Sequence, residues 1–292
     1  MSPADIATLL NLSASQALDA YLIVGGFPML AADWSPGETL EQFLARELVN
    51  PSSNLIVNGE RILAAEFPTE VQAREVLEAI GKGERKFADI QRRVSLSPAS
   101  LSRSLERLVD VKRVVERMTP YAAPPPRRDP RYLVKDPYLR FWLRFAGPHL
   151  QEIERGRGDQ TAARVKRDWS VYRGMAIETI VRDAIERMLP DERFGDARLA
   201  GSWWDRGRRQ VDLVGLPHER TPSRVSFIGS IKWRERSPFD RDDLRALIES
   251  HAIVPGTDSD TLLVGVSRSG FSSATSRLDV RLGVDELIGA WG

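Results

Sequence analysis

The chain has 292 residues, of which 28% are charged and 42% hydrophobic, and its formal net charge is +1. This composition is ordinary for a soluble globular protein and excludes a disordered or fibrous one, while the length allows two or three domains. The lack of cysteine excludes disulfides, thiolate zinc sites and cysteine nucleophiles, so only His149, His218 and His251 remain as imidazole ligands.

The N-terminal residues lack the basic and apolar regions of a signal peptide, and no run approaches the roughly 18 apolar residues of a membrane span. We therefore expect a cytoplasmic protein with no membrane partner. The charge is unevenly distributed, since residues 1–84 carry an excess of Asp and Glu and residues 85–175 an excess of Lys and Arg. A basic segment in a nearly neutral chain favours local contact with a polyanion, although it can also be a solvated surface.

Residues 1–68 are predicted to form a helical segment with an acidic surface. Apolar residues recur at helical spacing from Ala4 to Phe67. The Gly25-Gly26-Phe27-Pro28 turn must interrupt the helices, because paired glycines lose entropy in a helix and Pro28 disfavours the helical conformation of Phe27.

Residues 69–150 have the pattern of a winged helix-turn-helix. Helices are predicted over 70–80 and 86–94, and a third begins with Ser97 as N-cap and Pro98 at the first helical position. Short strands over 114–118 and 132–134 flank a proline-rich stretch typical of a wing. An aromatic-rich helix follows from Asp136 to Leu143 and is expected to lie in the core.

The third helix is the candidate recognition helix for DNA. Small hydroxyls and arginines on one face of such a helix can reach phosphates and base edges in the major groove. Winged helices also bind proteins, so this alternative stays open. The predicted contacts are Ser100, Arg103, Ser104 and Arg107 on the helix, with Arg127 and Arg128 in the wing.

Residues 151–292 are predicted to form an α/β domain, after a polar, basic connection over 152–173 that contains the domain boundary. A helix is expected over 169–188, strands over 211–214, 225–233 and 262–267, and a crossover helix over 241–251. Trp203, Trp204 and Trp233 either fill the core of this domain or stack on unpaired bases. The predicted fold class is therefore α/β overall.

Several short motifs occur along nearly the whole chain. They are Gly25-Gly26-Phe27-Pro28, Pro68-Thr69, Lys135-Asp136-Pro137-Tyr138-Leu139-Arg140-Phe141-Trp142, Trp203-Trp204, Val211-Asp212-Leu213-Val214 and Gly229-x-x-Lys232-Trp233. In this order they resemble the C-terminal half of archaeal and bacterial AAA-type ATPases. The resemblance implies a helical lid-like bundle, a winged helix and a C-terminal domain like the PD-(D/E)XK restriction endonucleases.

The phosphate-binding loop of such ATPases, G-x-x-x-x-G-K-[ST], does not occur in the chain. We therefore expect no ATP hydrolysis by this chain alone. A separate AAA-type ATPase subunit is a candidate partner for the lid-like segment.

For the C-terminal domain, the resemblance implies a catalytic site at Glu178, Asp212 and Lys232, with Mg²⁺ held by Asp212 and Glu178. Ser230 shares a strand face with Lys232 and stands where such nucleases carry a glutamate. Because serine cannot replace the charge of a carboxylate, the site is expected to be degenerate. Glu249 on the following helix is a candidate relocated carboxylate.

These observations support three hypotheses. The first is a DNA-binding accessory protein with a degenerate nuclease-like domain. The second is an active Mg²⁺-dependent endonuclease that uses Glu249. The third is a protein-docking module for a separate ATPase.

Overall fold

The computed structural model describes residues 1–122, 129–205, 209–218 and 224–292. The chain divides into two compact units. The first unit contains Met1–Met118 and Pro130–Trp169, and the second contains Thr119–Asp129 and Ser170–Gly292. The predicted segments 1–68 and 69–150 therefore lie mostly in one unit, and the division into units falls within the predicted connection over 152–173.

The N-terminal part of the first unit is helical, as the apolar spacing predicts. Most of these helices begin at a Ser or Thr whose side chain accepts a hydrogen bond from a first-turn amide, which stabilises the helix start. The second helix ends at Val24 because Gly25, at φ +58, leaves the helical conformation. The helices are α1 (Pro3–Leu10), α2 (Ala14–Val24), α3 (Pro28–Ala32), α4 (Leu40–Val49) and α5 (Asn54–Glu66).

The next elements have the order of a winged helix-turn-helix. Helices α6 (Val71–Gly81), α7 (Phe87–Val94) and α8 (Pro98–Glu106) precede the antiparallel pair β1 (Val115–Met118) and β2 (Arg131–Val134). A π-helical turn over Arg107–Val111 extends α8. The apolar stripe of α8 is buried, as its spacing predicts; it consists of Leu101, Leu105 and Leu108.

The aromatic-rich helix lies in the core of the first unit, as predicted. Helix α9 (Pro137–Phe141) continues through a π-helical turn over Trp142–Ala146. The Tyr138 hydroxyl donates to the Leu55 carbonyl at 3.0 Å, and the Trp142 indole N–H donates to the Ile56 carbonyl at 2.8 Å. These bonds satisfy the polar ends of two buried aromatic side chains and attach them to α5.

The predicted polar, basic connection over 152–173 is largely helical. Helix α10 (Leu150–Glu154) is followed by the 31-residue helix α11 (Gly158–Met188). Arg and Lys have good helix propensity, so a polar composition did not require an irregular segment. The Arg164–Glu152 ion pair, at 2.6 Å, joins the start of α11 to α10.

Among the described residues of the second unit, five strands form a mixed sheet in the order β3-β4-β5-β6-β7. The first three strands are antiparallel, and β5, β6 and β7 are parallel. The strands are β3 (Leu199–Trp204), β4 (Gln210–Leu216), β5 (Phe227–Lys232), β6 (Leu262–Ser267) and β7 (Val280–Leu282). The sheet confirms the predicted α/β class.

Helix α12 (Arg241–His251) connects the parallel strands β5 and β6, as predicted, and α13 (Val284–Gly289) follows β7. Val214, Ile228 and Leu247 lie in the apolar core of this unit. Trp203, Trp204 and Trp233 are all at most 5% exposed. Their burial supports the interpretation as core residues over that of a base-stacking platform.

Within the described ranges, none of the helices combines the length and the apolar character that crossing a bilayer requires.

Candidate functional site

The start of α8 is a polar, exposed part of the first unit. The Ser97 hydroxyl accepts from the Ser100 amide at 3.2 Å, which caps the helix, and donates to the Ser100 hydroxyl at 3.0 Å. Arg103, one turn later, donates to the same Ser100 hydroxyl at 3.4 Å. Hydroxyl groups and a guanidinium therefore lie together at the positive end of the helix dipole, where an anion is favoured.

The arginines of α8 and of its π-helical extension differ in their surroundings. Arg107 forms an ion pair with Glu70 at 2.7 Å. Arg103 is exposed, and no carboxylate of the described residues lies within ion-pair distance of it. Arg103 is therefore the cation of this helix that is most available to a phosphate.

The predicted outward face of α8 is wrong at one position. Ser104 is 7% exposed and packs inward beside Leu105, because the helix phase places it on the buried side. Ser102 is exposed instead. Arg127 and Arg128, the predicted wing contacts, lie outside the described residues.

The C-terminal half of α8 is less suited to a phosphate. Glu106 is exposed one turn after Ser102, and Asp110 follows one turn later on the π-helical extension. Both carboxylates line a cavity of about 430 Å³ between α8 and the hairpin, together with Ser102 and Arg117. The N-terminal half of the helix is therefore more favourable for an anion than the C-terminal half.

Helix α7 adds exposed cations to the first unit. Arg92 has a side chain that is 79% exposed and pairs with Asp89 on the same helix. Arg93 is also exposed. Sequence reasoning had not included these two side chains among the predicted DNA contacts, although the last turn of a basic amphipathic helix is visible in the sequence.

In the second unit, Asp212 and Ser230 lie next to each other on β4 and β5. The Ser230 hydroxyl donates to Asp212 Oδ2 at 3.2 Å, and the Ile231 amide donates to the same oxygen at 3.0 Å. Asp212 Oδ2 thus accepts hydrogen bonds from a neutral hydroxyl and from a backbone amide.

The other predicted catalytic residues are engaged in ion pairs. Lys232 Nζ lies 3.5 Å from Asp243 Oδ1 on α12, and Arg234 contacts the other oxygen of Asp243. Glu178 lies 3.6 Å from Arg182, one turn further along α11. The lysine and the glutamate therefore have partners other than Asp212.

Glu249 does not approach these residues as a ligand. Its side chain is 72% exposed and lies 4.0 Å from Arg245 on the same helix. Within the described part of the chain, no group of three or more His, Asp or Glu side chains could hold a metal ion.

Asp243 is a site residue that sequence reasoning missed. Its carboxylate receives two cations and also accepts from the Asp240 amide at 3.1 Å, as part of a capping box at the start of α12. The sequence signal for the cap is the Asp240-x-x-Asp243 spacing. The pairing with Lys232 depends on the sheet topology, which the spacing does not reveal.

Comparisons with known proteins give one family and one relative. Residues 142–245 match DUF234, described as archaea bacterial proteins of unknown function. An uncharacterized protein of Methanocaldococcus jannaschii is 26% identical over 201 residues, which cover 68% of this chain and 44% of that protein. The chain thus spans less than half of the length of the curated relative it matches. No solved structure matches the chain. Through residues 142–245, the chain is similar to an archaeal and bacterial family of unknown function.

Proposed function

We propose that the protein binds duplex DNA through its winged helix. The observation that carries the proposal is the exposed Arg103 near the start of α8, next to the hydroxyls of Ser97 and Ser100. Guanidinium and hydroxyl groups at the start of a recognition helix are suited to phosphates and base edges in a major groove. The exposed cations of α7 supply further contacts to the backbone.

We further propose that the nuclease-like second unit does not cleave DNA. Ser230 bonds to Asp212 where a second carboxylate would be needed, and Lys232 is paired with Asp243. The protein then acts as a DNA-binding accessory protein. A separate AAA-type ATPase subunit that binds the acidic helical segment is the partner that the motif order favours.

The test of DNA binding is fluorescence anisotropy with a labelled duplex, comparing wild type with Arg103→Ala. We expect weaker binding by about 1 to 3 kcal/mol if Arg103 contacts a base, and by less if it contacts only phosphate. The matched control is Arg61→Ala, which removes an exposed arginine from α5. That variant should bind as wild type does.

The salt dependence of the affinity for DNA is a second test of the proposal. Phosphate contacts release counterions, so the affinity should fall steeply between about 50 and 200 mM salt. The proposal of DNA binding fails if wild type does not bind at low salt, or if the affinity does not change with salt. The proposal of no cleavage fails if purified protein cuts plasmid DNA with Mn²⁺ and Glu249→Ala abolishes the cutting.

A further inference from the structure

Helix α8 presents a carboxylate beside its exposed arginine. Arg103 and Glu106 are both exposed, and Glu106 follows Arg103 by three residues on the same helix. Side chains at this spacing are neighbours on a helix surface, and opposite charges there can form an ion pair. No ion pair joins these two described residues, and the guanidinium of Arg103 donates to the Ser100 hydroxyl at 3.4 Å instead. Both charges are therefore available to a binding partner.

The two side chains lie at the centre of the outward face of α8. The buried side of the helix consists of Leu101, Ser104 and Leu105, which are at most 7% exposed. At about 100° per residue, Arg103 and Glu106 are about 60° apart around the helix axis, and they lie on either side of the line opposite the buried residues. A surface that lies against this face of the helix therefore meets both side chains.

Contact with phosphates does not account for the position of Glu106. Among the described residues, no cation lies within ion-pair distance of its carboxylate, and the next arginine, Arg107, is paired with Glu70 at 2.7 Å. The phosphates of DNA carry negative charge and repel a carboxylate. In the major groove, by contrast, a glutamate can accept a hydrogen bond from the N4 amino group of cytosine. The position of Glu106 therefore favours a base edge over the backbone.

The spacing of the two side chains fits neighbouring base pairs. Three residues advance an α-helix by about 4.5 Å, and successive base pairs of duplex DNA are about 3.4 Å apart. Arginine contacts guanine through O6 and N7, which is the commonest specific contact in the major groove. When α8 lies in the groove, Arg103 can reach one base pair and Glu106 the next.

We propose that Glu106 determines which DNA sequence the winged helix prefers, by accepting a hydrogen bond from the N4 amino group of a cytosine. Arg103 contacts the guanine of the neighbouring base pair. The preferred site then contains two adjacent G·C pairs. This inference rests on the proposed binding of duplex DNA and deepens it, because it names the sequence class that the same helix selects.

The first experiment is selection of bound duplexes from a random-sequence library by the full chain, followed by sequencing. Wild type should enrich two adjacent G·C pairs. Glu106→Gln should change the preferred base at one of the two positions from cytosine to adenine, because glutamine pairs with N6 and N7 of adenine, and should leave the guanine unchanged. A purely structural role of Glu106 would not change the identity of the preferred base.

The second experiment is fluorescence anisotropy with the selected duplex and with a duplex in which thymine replaces the cytosine. The O4 of thymine accepts where the N4 of cytosine donates, so wild type should bind the selected duplex about tenfold more tightly. Glu106→Ala should bind the two duplexes with similar affinity. The matched control is Glu75→Gln, which neutralises an exposed glutamate of α6 and should keep the preference of wild type. Thermal melts report whether each variant is folded.

The inference is overturned if wild type binds duplex DNA but enriches no adjacent G·C pairs, and the proposed DNA binding then stands. It is also overturned if Glu106→Gln enriches the same sequence as wild type. Equally tighter binding of both duplexes by Glu106→Ala would overturn it as well, because Glu106 would then only repel phosphates. If wild type binds no duplex at low salt, this inference and the proposed DNA binding both fail, and the outward face of α8 is left to a protein partner.

Discussion

At the scale of single residues, Ser230 is the neighbour of Asp212 that the predicted metal site turns on. Its neutral hydroxyl donates a hydrogen bond of 3.2 Å to the Asp212 carboxylate. A second carboxylate at this position would place two negative charges side by side, which is unfavourable until a cation is bound between them.

We expect Ser230→Glu to create metal binding. Without metal, the variant should unfold at a lower temperature than wild type, because the introduced carboxylate and that of Asp212 repel each other. With Mn²⁺ at about 100 times its dissociation constant, the variant should regain about 2.7 kcal/mol. Thermal melts with and without Mn²⁺ measure both effects.

The matched control for this experiment is Ser230→Gln, which introduces a side chain of the same size without the charge and should not respond to Mn²⁺. The expectation is wrong if Mn²⁺ raises the melting temperature of wild type as much as that of Ser230→Glu.

Asp136 is a second residue whose charge affects the stability of the fold. It caps α9 by accepting from the Leu139 amide at 2.7 Å, and burial raises the pKa of its carboxyl above the ordinary value of 3.8. The folded state therefore holds this proton more tightly than the unfolded state does. Its contribution to stability is present below pH 3.8 and is lost as the pH rises through the raised pKa of the folded protein.

Asp136→Asn should remove this pH dependence, because the asparagine side chain can still accept from the Leu139 amide but carries no charge. Urea unfolding of wild type and variant, measured from about pH 4 to about pH 7, should show the variant gaining stability relative to wild type as the pH rises. Asp110→Asn, on the exposed extension of α8, is the control. A constant difference between Asp136→Asn and wild type across this range would contradict the expectation.

At the scale of elements, close packing between α5 and the extension of α9 shapes the first unit. A Cβ on Gly59 would lie 2.3 Å from the ring of Trp142, so only glycine allows this approach. The indole N–H of Trp142 bonds to α5 nearby, and the ring is 1% exposed. The ring therefore has little room to move away.

Gly59→Ala should destabilise the protein by about 1 to 3 kcal/mol, since overpacking outweighs the better helix propensity of alanine. Chemical denaturation checks the value. Gly174→Ala in α11 is the matched control, because no atom lies within 4 Å of the added Cβ. It should be neutral or stabilising by up to about 1 kcal/mol. An unchanged stability of Gly59→Ala would show that the ring can shift.

At the scale of the whole molecule, the elements with local signals were predictable from the sequence. Ser97 and Pro98 mark the start of α8, and the strand, helix and strand from Phe227 to Ser267 follow from their apolar patterns. The first part of α11 was missed because its polar composition resembles a linker, and β7 was missed because it has only three residues.

The site was less predictable than the fold. The shared strand face of Ser230 and Lys232 follows from the period of two. The hydrogen bond between Ser230 and Asp212 depends instead on the pairing of β5 with β4. The Lys232–Asp243 and Arg173–Glu235 pairs depend instead on which loops and helices meet in space. Ser104 was misplaced because a shift of one residue in helix phase separates a buried position from an exposed one.

The two units are interleaved along the chain, since Thr119–Asp129 belongs with Ser170–Gly292. The Tyr121 amide donates to the Ser202 carbonyl at 2.9 Å, and a Cβ on Gly201 would meet the Tyr121 ring at 2.5 Å. A gene fragment that starts at Ser170 would leave this glycine without the ring that covers it. A single break in the gene cannot separate the coding sequence of one whole unit from that of the other. We therefore expect recombination to transfer the two units together.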